Sequence, residues 1–111
     1  MSDSYSVAYL PKAVDDIRDI YRYIAFELLD PGAVEKLVNR IRKSVASLDC
    51  MPFRNPVVDW EPLKTTGMRA MPVDSFEVFY MAIEDTHAVV VVRTVYGGSG
   101  MNGIALDMDS D

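Results

Sequence analysis

Phe76-Glu77-Val78-Phe79-Tyr80-Met81-Ala82-Ile83, then Glu84-Asp85-Thr86-His87, then Ala88-Val89-Val90-Val91-Val92-Arg93-Thr94-Val95 is the stretch that decides the fold. Two runs that are apolar at nearly every position, joined by four polar residues, read as adjacent strands at the centre of a sheet with both faces largely covered. Upstream, Met68–Val73 makes a third strand, separated from Phe76 only by Asp74-Ser75, a spacing that predicts a tight hairpin. Three polar residues, Arg69, Arg93 and Tyr96, are set into or at the end of this apolar block. A charge or a phenol beside a sheet costs free energy unless a partner compensates, so these three are candidates for function.

Working outward, Tyr5-Ser6-Val7-Ala8-Tyr9-Leu10 alternates weakly and stops at Pro11, which suits a short first strand followed by a helix opened by proline. From Lys12 to Leu29 the apolar residues Ile17, Ile20, Tyr21, Ile24 and Leu28 recur at helical spacing. Asp15, Asp16, Arg18, Asp19 and Arg22 fill the other side, with the two aspartates expected in the first turn. Asp30-Pro31-Gly32 breaks this helix, and a second follows with a seam of Val34, Val38, Ile41, Val45 and Leu48. The short connector predicts an antiparallel helix hairpin. Lys36, Arg40 and Lys43 form a basic stripe opposite the seam.

Residues 50–66 carry Pro52, Pro56 and Pro62, and read as an ordered loop anchored by Phe53, Val57, Val58, Trp60 and Leu63. The expected architecture is α+β: a mainly antiparallel sheet with an N-terminal two-helix hairpin packed on one face, in the order β-α-α-β-β-β. One domain is expected over residues 1–106. Within it Gly97-Gly98-Ser99-Gly100 reads as a mobile connector and Met101–Leu106 as a docking segment, while the acidic tail 107–111 is expected to be disordered.

The totals limit the function classes. A net charge of −6 and a pI near 4.6 argue against a general polyanion binder, whose affinity comes from phosphate neutralisation. Four of the acids sit at the chain ends, which leaves the body near about −2 and permits a local basic site. Cys50 is the single cysteine, so no internal disulfide forms; it reads as a small core residue in a reducing compartment. With no signal-like N-terminus and no apolar run of membrane-spanning length, a cytoplasmic protein is expected. No metal constellation and no cofactor motif stand out.

The opening Tyr5-Ser6-Val7-Ala8-Tyr9-Leu10-Pro11, then Ala13-Val14-Asp15-Asp16-Ile17 and Ile20-Tyr21-Arg22-Tyr23-Ile24, resembles the RelE/ParE superfamily of type II toxin–antitoxin toxins. Ser47-Leu48 running into Pro52, and Arg69 heading a hydrophobic meander that contains Val78-Phe79-Tyr80, extend the resemblance to about residues 5–96. The superfamily holds two activities on one fold. RelE- and YoeB-type members cut messenger RNA on the ribosome, whereas ParE-type members poison DNA gyrase without cutting anything themselves. The expected activity is the first, a ribosome-dependent mRNA endoribonuclease that acts on the ribosome and mRNA and is silenced by a cognate antitoxin; the alternatives are a ParE-like poison of DNA gyrase and a catalytically weakened relative that only binds antitoxin.

Trp60-Glu61-Pro62-Leu63-Lys64 is similar to the stretch that carries the catalytic glutamate of YoeB-type toxins. The resemblance implies a general base at Glu61, a phosphate-stabilising Arg69 and a catalytic Tyr96, with Arg54, Lys64 and Arg93 as phosphate-binding residues. Val95 departs from the pattern, since a YoeB-type toxin has histidine before that tyrosine. Such a site would take the 2′-hydroxyl proton at Glu61, steady the phosphate with cations and protonate the leaving oxygen from Tyr96, without a metal. Arg93 and Tyr96 have opposite parity in a regular strand, so they face one site only if the strand breaks between them. In the ParE-like reading the helix hairpin is the working surface, and Glu61→Ala leaves toxicity unchanged.

Overall fold

The computed structural model describes residues 4–27, 30–59, 61 and 63–97. A four-stranded sheet is built from β1 (Ser6–Tyr9), β2 (Arg69–Val73), β3 (Phe76–Ile83) and β4 (Ala88–Tyr96) in the spatial order β1-β4-β3-β2. The last three strands form the expected antiparallel meander, while β1 joins β4 in parallel. Asp74, at φ 54°, takes the left-handed conformation that a two-residue hairpin demands, and His87 at φ 52° does the same before β4.

Helix α1 covers Pro11–Arg22 and α2 covers Pro31–Ala46. Proline fills the first turn of each, where a missing N–H costs nothing. Asp30 Oδ1 accepts the Ala33 backbone N–H at 3.2 Å and so caps α2. The seam is buried as its spacing predicts: Val34, Val38, Ile41 and Val45 of α2, joined by Leu37 and by Leu48 of the following 3₁₀ turn Ser47–Asp49, pack with Ala13 and Ile17 of α1 on Met71, Val73, Val78, Tyr80, Val89 and Val91 of the sheet. The sheet's other face is covered in part by the 50–66 segment. There Val58, and Leu63 of the short helix α3 (Leu63–Thr66), pack with Met68 on Phe79.

Several expectations are corrected. The regular first helix stops at Arg22 and gives way to a π-helical turn over Tyr23–Glu27. Because Pro11 is its first residue, Asp15 and Asp16 fall in its second turn rather than its first. Asp16 also leaves the solvated side and meets β4. Cys50 is exposed instead of buried, and hydrogen bonding to Asp49 and the charge of Asp49 push its thiol pKa up. Phe53 and Val57 stay substantially exposed, so Val58 and Leu63 are the loop's anchors. The readings made for Leu28, Trp60, Gly98–Gly100, Met101–Leu106 and the acidic tail lie outside the described residues.

Candidate functional site

The six candidate side chains fall into three separate settings. The first is the rim where the 50–55 loop crosses the start of β2. The buried Tyr80 hydroxyl donates to the Pro52 carbonyl at 2.7 Å and accepts from Asn55 Nδ2 at 3.1 Å, which fixes the loop on the sheet. Arg69 pairs across from Tyr80, donates through Nη1 to the carbonyls of Asn55 and Phe53, and lies 5.0 Å above the Phe53 ring centre. Arg54 bonds the Ser47 hydroxyl through Nη2, which also lies 3.8 Å from Met71 Sδ. The Phe53 ring in turn meets Tyr5 edge-on, and Tyr5 meets His87 at 4.9 Å. Arg54 and Arg69 are thus brought together, and both are engaged with protein groups. Asp74 is paired with Arg40 at 2.8 Å rather than with Arg69 across the hairpin.

The second setting is α3. Glu61 accepts from both the backbone N–H and the hydroxyl of Thr65, and these hydrogen bonds, with a smaller effect of Lys64, hold its carboxyl below the usual glutamate range. A carboxylate held this way is a weaker base than an unperturbed one. Lys64 reaches Asp59 at 3.7 Å in an exposed pair.

Strand β4 carries the third setting, and its parity holds because the strand runs unbroken to Tyr96. The register shifts once, where Val91 and Arg93 face consecutive residues of β3 and Val92 is extra. Arg93 donates to both oxygens of Asp16, from Nε at 2.7 Å and from Nη2 at 3.0 Å, and both side chains are only 11 % exposed. Asp16 Oδ2 also accepts the Thr94 backbone N–H at 2.9 Å, where β4 has run beyond the end of β1. The carboxylate replaces a missing strand partner, and Arg93 is committed to it. Tyr96 lies opposite Phe76, and the two rings meet edge-to-face at 5.7 Å. Tyr96 pairs four residues along β3 from Tyr80, the partner of Arg69, and on the other side of that strand. Strand geometry therefore separates the Arg69 and Tyr96 backbones by roughly 16 Å.

What the sequence did not single out is the surface around Tyr96. Asp19, Ile20, Tyr23, Ile24, Phe76 and Tyr96 line an open cleft of about 560 Å³. Beside it the π-helical turn leaves Phe26 72 % and Tyr23 60 % exposed, and Tyr96 is 55 % exposed. Such turns interrupt a helix's regular facing of side chains, and no periodicity argument would have found this one. A second cleft, about 380 Å³, lies between β1 and the helices and is lined by Tyr9, Val14, Ile17, Arg18, Tyr21 and Arg42. Burial pushes the Tyr9 phenol pKa up, and the nearby Arg42 charge opposes that shift.

Among the described residues, no three or more His, Cys, Asp or Glu side chains gather as metal ligands would, and no helix is long and apolar enough to cross a membrane.

With this geometry in place, the sequence matches over residues 7–99 the family model described as ParE toxin of type II toxin–antitoxin system, parDE. No curated protein matches it by sequence. Among solved structures, the chain is similar to the chromosomal ParDE toxin–antitoxin system of P. aeruginosa, with 20 % identity and a TM-score of 0.68 over 86 % of this chain and 98 % of that one. A free-state variant of the E. coli toxin RelE aligns over 95 % of this chain and 97 % of its own, at 12 % identity and a TM-score of 0.62. The RelBE2 toxin–antitoxin complex of Mycobacterium tuberculosis aligns over 84 % and 91 %, at 17 % identity and a TM-score of 0.59. At these identities the structural likeness establishes the fold.

Proposed function

The chain belongs to the ParE toxin family of type II toxin–antitoxin systems, and we propose that it acts by binding its target rather than by cutting RNA, with DNA gyrase as the target and a cognate antitoxin as its inhibitor. The observation that carries this reading is the aromatic surface beside the π-helical turn, where Tyr23 and Tyr96 line an open cleft and Phe26 stands exposed on the same turn as Tyr23. Exposed aromatics beside a pocket are the side chains that dominate protein–protein affinity. The nuclease site has less support: Glu61 is spent on Thr65, Arg93 on Asp16, and Arg69 and Tyr96 lie roughly 16 Å apart by strand geometry. A protein that acts on gyrase works in the cytoplasm.

One observation favours a second reading, a ribosome-dependent endoribonuclease. Arg54 and Arg69 share one rim with the exposed Phe53 ring, a pairing of cations and aromatic surface that suits single-stranded RNA. In that reading Glu61, Arg69 and Tyr96 are catalytic, Arg54, Lys64 and Arg93 hold phosphate, and Asp16 must release Arg93.

The test is a brief induction in cells, with mapping of double-strand DNA breaks and of new messenger 5′ ends. The gyrase reading expects DNA breaks with intact messenger, lost in a Tyr23→Ala/Phe26→Ala double variant and retained in Glu61→Ala. In-frame messenger cuts that disappear in Arg69→Ala, with no DNA breaks, would replace it with the nuclease reading.

A further inference from the structure

We propose that the solvent face of α2 lies along the sugar–phosphate backbone of the duplex DNA that gyrase holds, with Lys36, Arg40, Lys43 and Arg54 as the cations that meet its phosphates. This rests on the reading of the chain as a toxin that binds gyrase.

Helix α2 holds four of the chain's eleven lysines and arginines and a single acid, Glu35. Residues 36, 40, 43 and 47 recur at helical spacing and so share one stripe of the surface. Lys36, Arg40 and Lys43 are exposed along it. At its end the Ser47 hydroxyl accepts a hydrogen bond from Arg54 Nη2, which brings a fourth cation into line. Helix rise sets the length of the stripe at about 16 Å from Lys36 to Ser47.

The two helices treat their cations differently. On α1, Arg18 faces Asp15 at 3.7 Å and Arg22 faces Asp19 at 3.8 Å, so each cation is answered one turn away. Lys36 and Lys43 form no ion pair among the described residues, and Arg40 meets Asp74 only in an exposed pair that water screens. Lys43 sits in the last turn of α2, where the helix dipole favours a cation, but Lys36 is in the second turn and gains nothing from it. A cationic stripe left uncompensated in a chain of net charge −6 asks for an anionic partner.

The composition of the face selects that partner. No large apolar side chain of α2 is exposed, so the stripe lacks the anchors that carry protein–protein affinity. Nor does α2 hold an aromatic ring on which an unpaired base could stack. What remains is a straight row of cations, which suits sequence-independent contact with a duplex backbone. A net charge of −6 makes such a row too weak to hold free DNA, so the contact forms where gyrase presents the duplex at high local concentration.

Binding of the purified toxin to gyrase alone, and to gyrase loaded with a linear duplex of arbitrary sequence, tests the site. The wild-type toxin should bind the loaded enzyme at least about tenfold more tightly, and this gain should fall with salt at a log–log slope of about −3, that of roughly three or four neutralised phosphates. Lys36→Gln/Lys43→Gln should bind gyrase alone as the wild type does, keep the melting temperature of the free toxin and lose most of the gain from DNA. A wild-type affinity that DNA does not change, or a gain from DNA that the double variant keeps, would overturn the proposal while leaving the gyrase reading in place. So would an equal loss by the double variant with and without DNA, since the stripe would then meet the enzyme itself. Failure of the wild-type toxin to bind gyrase in either form would bring down both.

Discussion

At the Arg69 end of the sheet polar side chains are tied inward, whereas at the Tyr96 end aromatic rings are turned out. Arg69 gives its hydrogen bonds to loop carbonyls, Arg54 to Ser47, and the Tyr80 hydroxyl to Pro52. Each bond holds the 50–55 loop on the sheet. Around Tyr96, by contrast, Tyr23 and Phe26 stand on a π-helical turn with most of their surface in water. Cations alone do not mark a site, because a guanidinium that satisfies backbone carbonyls is doing the work of a cap. Apolar surface left uncovered when the chain had ample core to bury it is the stronger sign of a partner.

The comparison can be broken most forcefully at the buried pair that separates the two ends. Asp16→Ala leaves Arg93 charged and mostly buried without its carboxylate, and also strips the Thr94 N–H of its acceptor. Losing one partner of a buried pair costs about 3–5 kcal/mol, and urea denaturation of the purified variant should read that loss. A loss below about 1 kcal/mol would mean that Arg93 is not committed to Asp16 and is available for phosphate after all.

Next in size are the loop anchors. Tyr80→Phe removes a fully buried hydroxyl and leaves the Pro52 carbonyl without its donor, for an expected loss of about 1–3 kcal/mol. Arg69→Ala should fall in the same range, since it forfeits two carbonyl contacts and the stack on Phe53. If Arg69→Ala abolishes toxicity with no change in the denaturation midpoint, the rim is functional and the contrast between the two ends fails.

These targets also explain what was legible beforehand. The meander could be read from β3 and β4 because unbroken apolar runs and short turns are local signals, and the seam from Val34 to Leu48 is buried as its spacing required. The Arg93–Asp16 pair was hidden because its members are 77 residues apart, and only the helix-on-strand packing brings them together. Asp16 looked like one more solvated acid of α1. Glu61 was visible as a motif residue, but its capture by Thr65 depends on α3, a single turn too short to leave a periodic trace. The aromatic surface was missed because π-helical turning follows neither of the periods that sequence reading relies on.

A smaller effect, opposite in sign between two carboxylates, is expected from pH. Hydrogen bonds from Thr65 lower the Glu61 pKa, so its contribution to stability is present above the unfolded-state pKa and fades as pH falls through the folded one. Burial raises the Glu77 pKa, so its contribution is present below the unfolded value and is lost as pH rises through the folded value. Glu77→Gln should therefore stabilise the protein slightly at neutral pH, and Glu61→Gln should flatten the acid limb of the stability profile. Denaturation midpoints of both variants across the acid range check the two signs; a parallel response would refute the assignment of opposite causes.

The smallest thermodynamic effect is expected at Tyr96, and it separates the two readings best. A proton donor needs the phenolic hydroxyl, whereas a hot-spot ring needs only the aromatic body. Tyr96→Phe keeps the edge-to-face contact with Phe76, and at an exposed position should shift stability by no more than about 0.5 kcal/mol. If the working surface is the aromatic cleft, this variant arrests growth as the parent does, while Tyr96→Ala, equally soluble, is much weaker. If the phenol protonates a leaving group, Tyr96→Phe is as inactive as Tyr96→Ala, and the cleft is only scenery around a catalytic hydroxyl. The growth comparison of these two variants isolates one oxygen atom, and the working surface is decided by whether the cell responds to its loss.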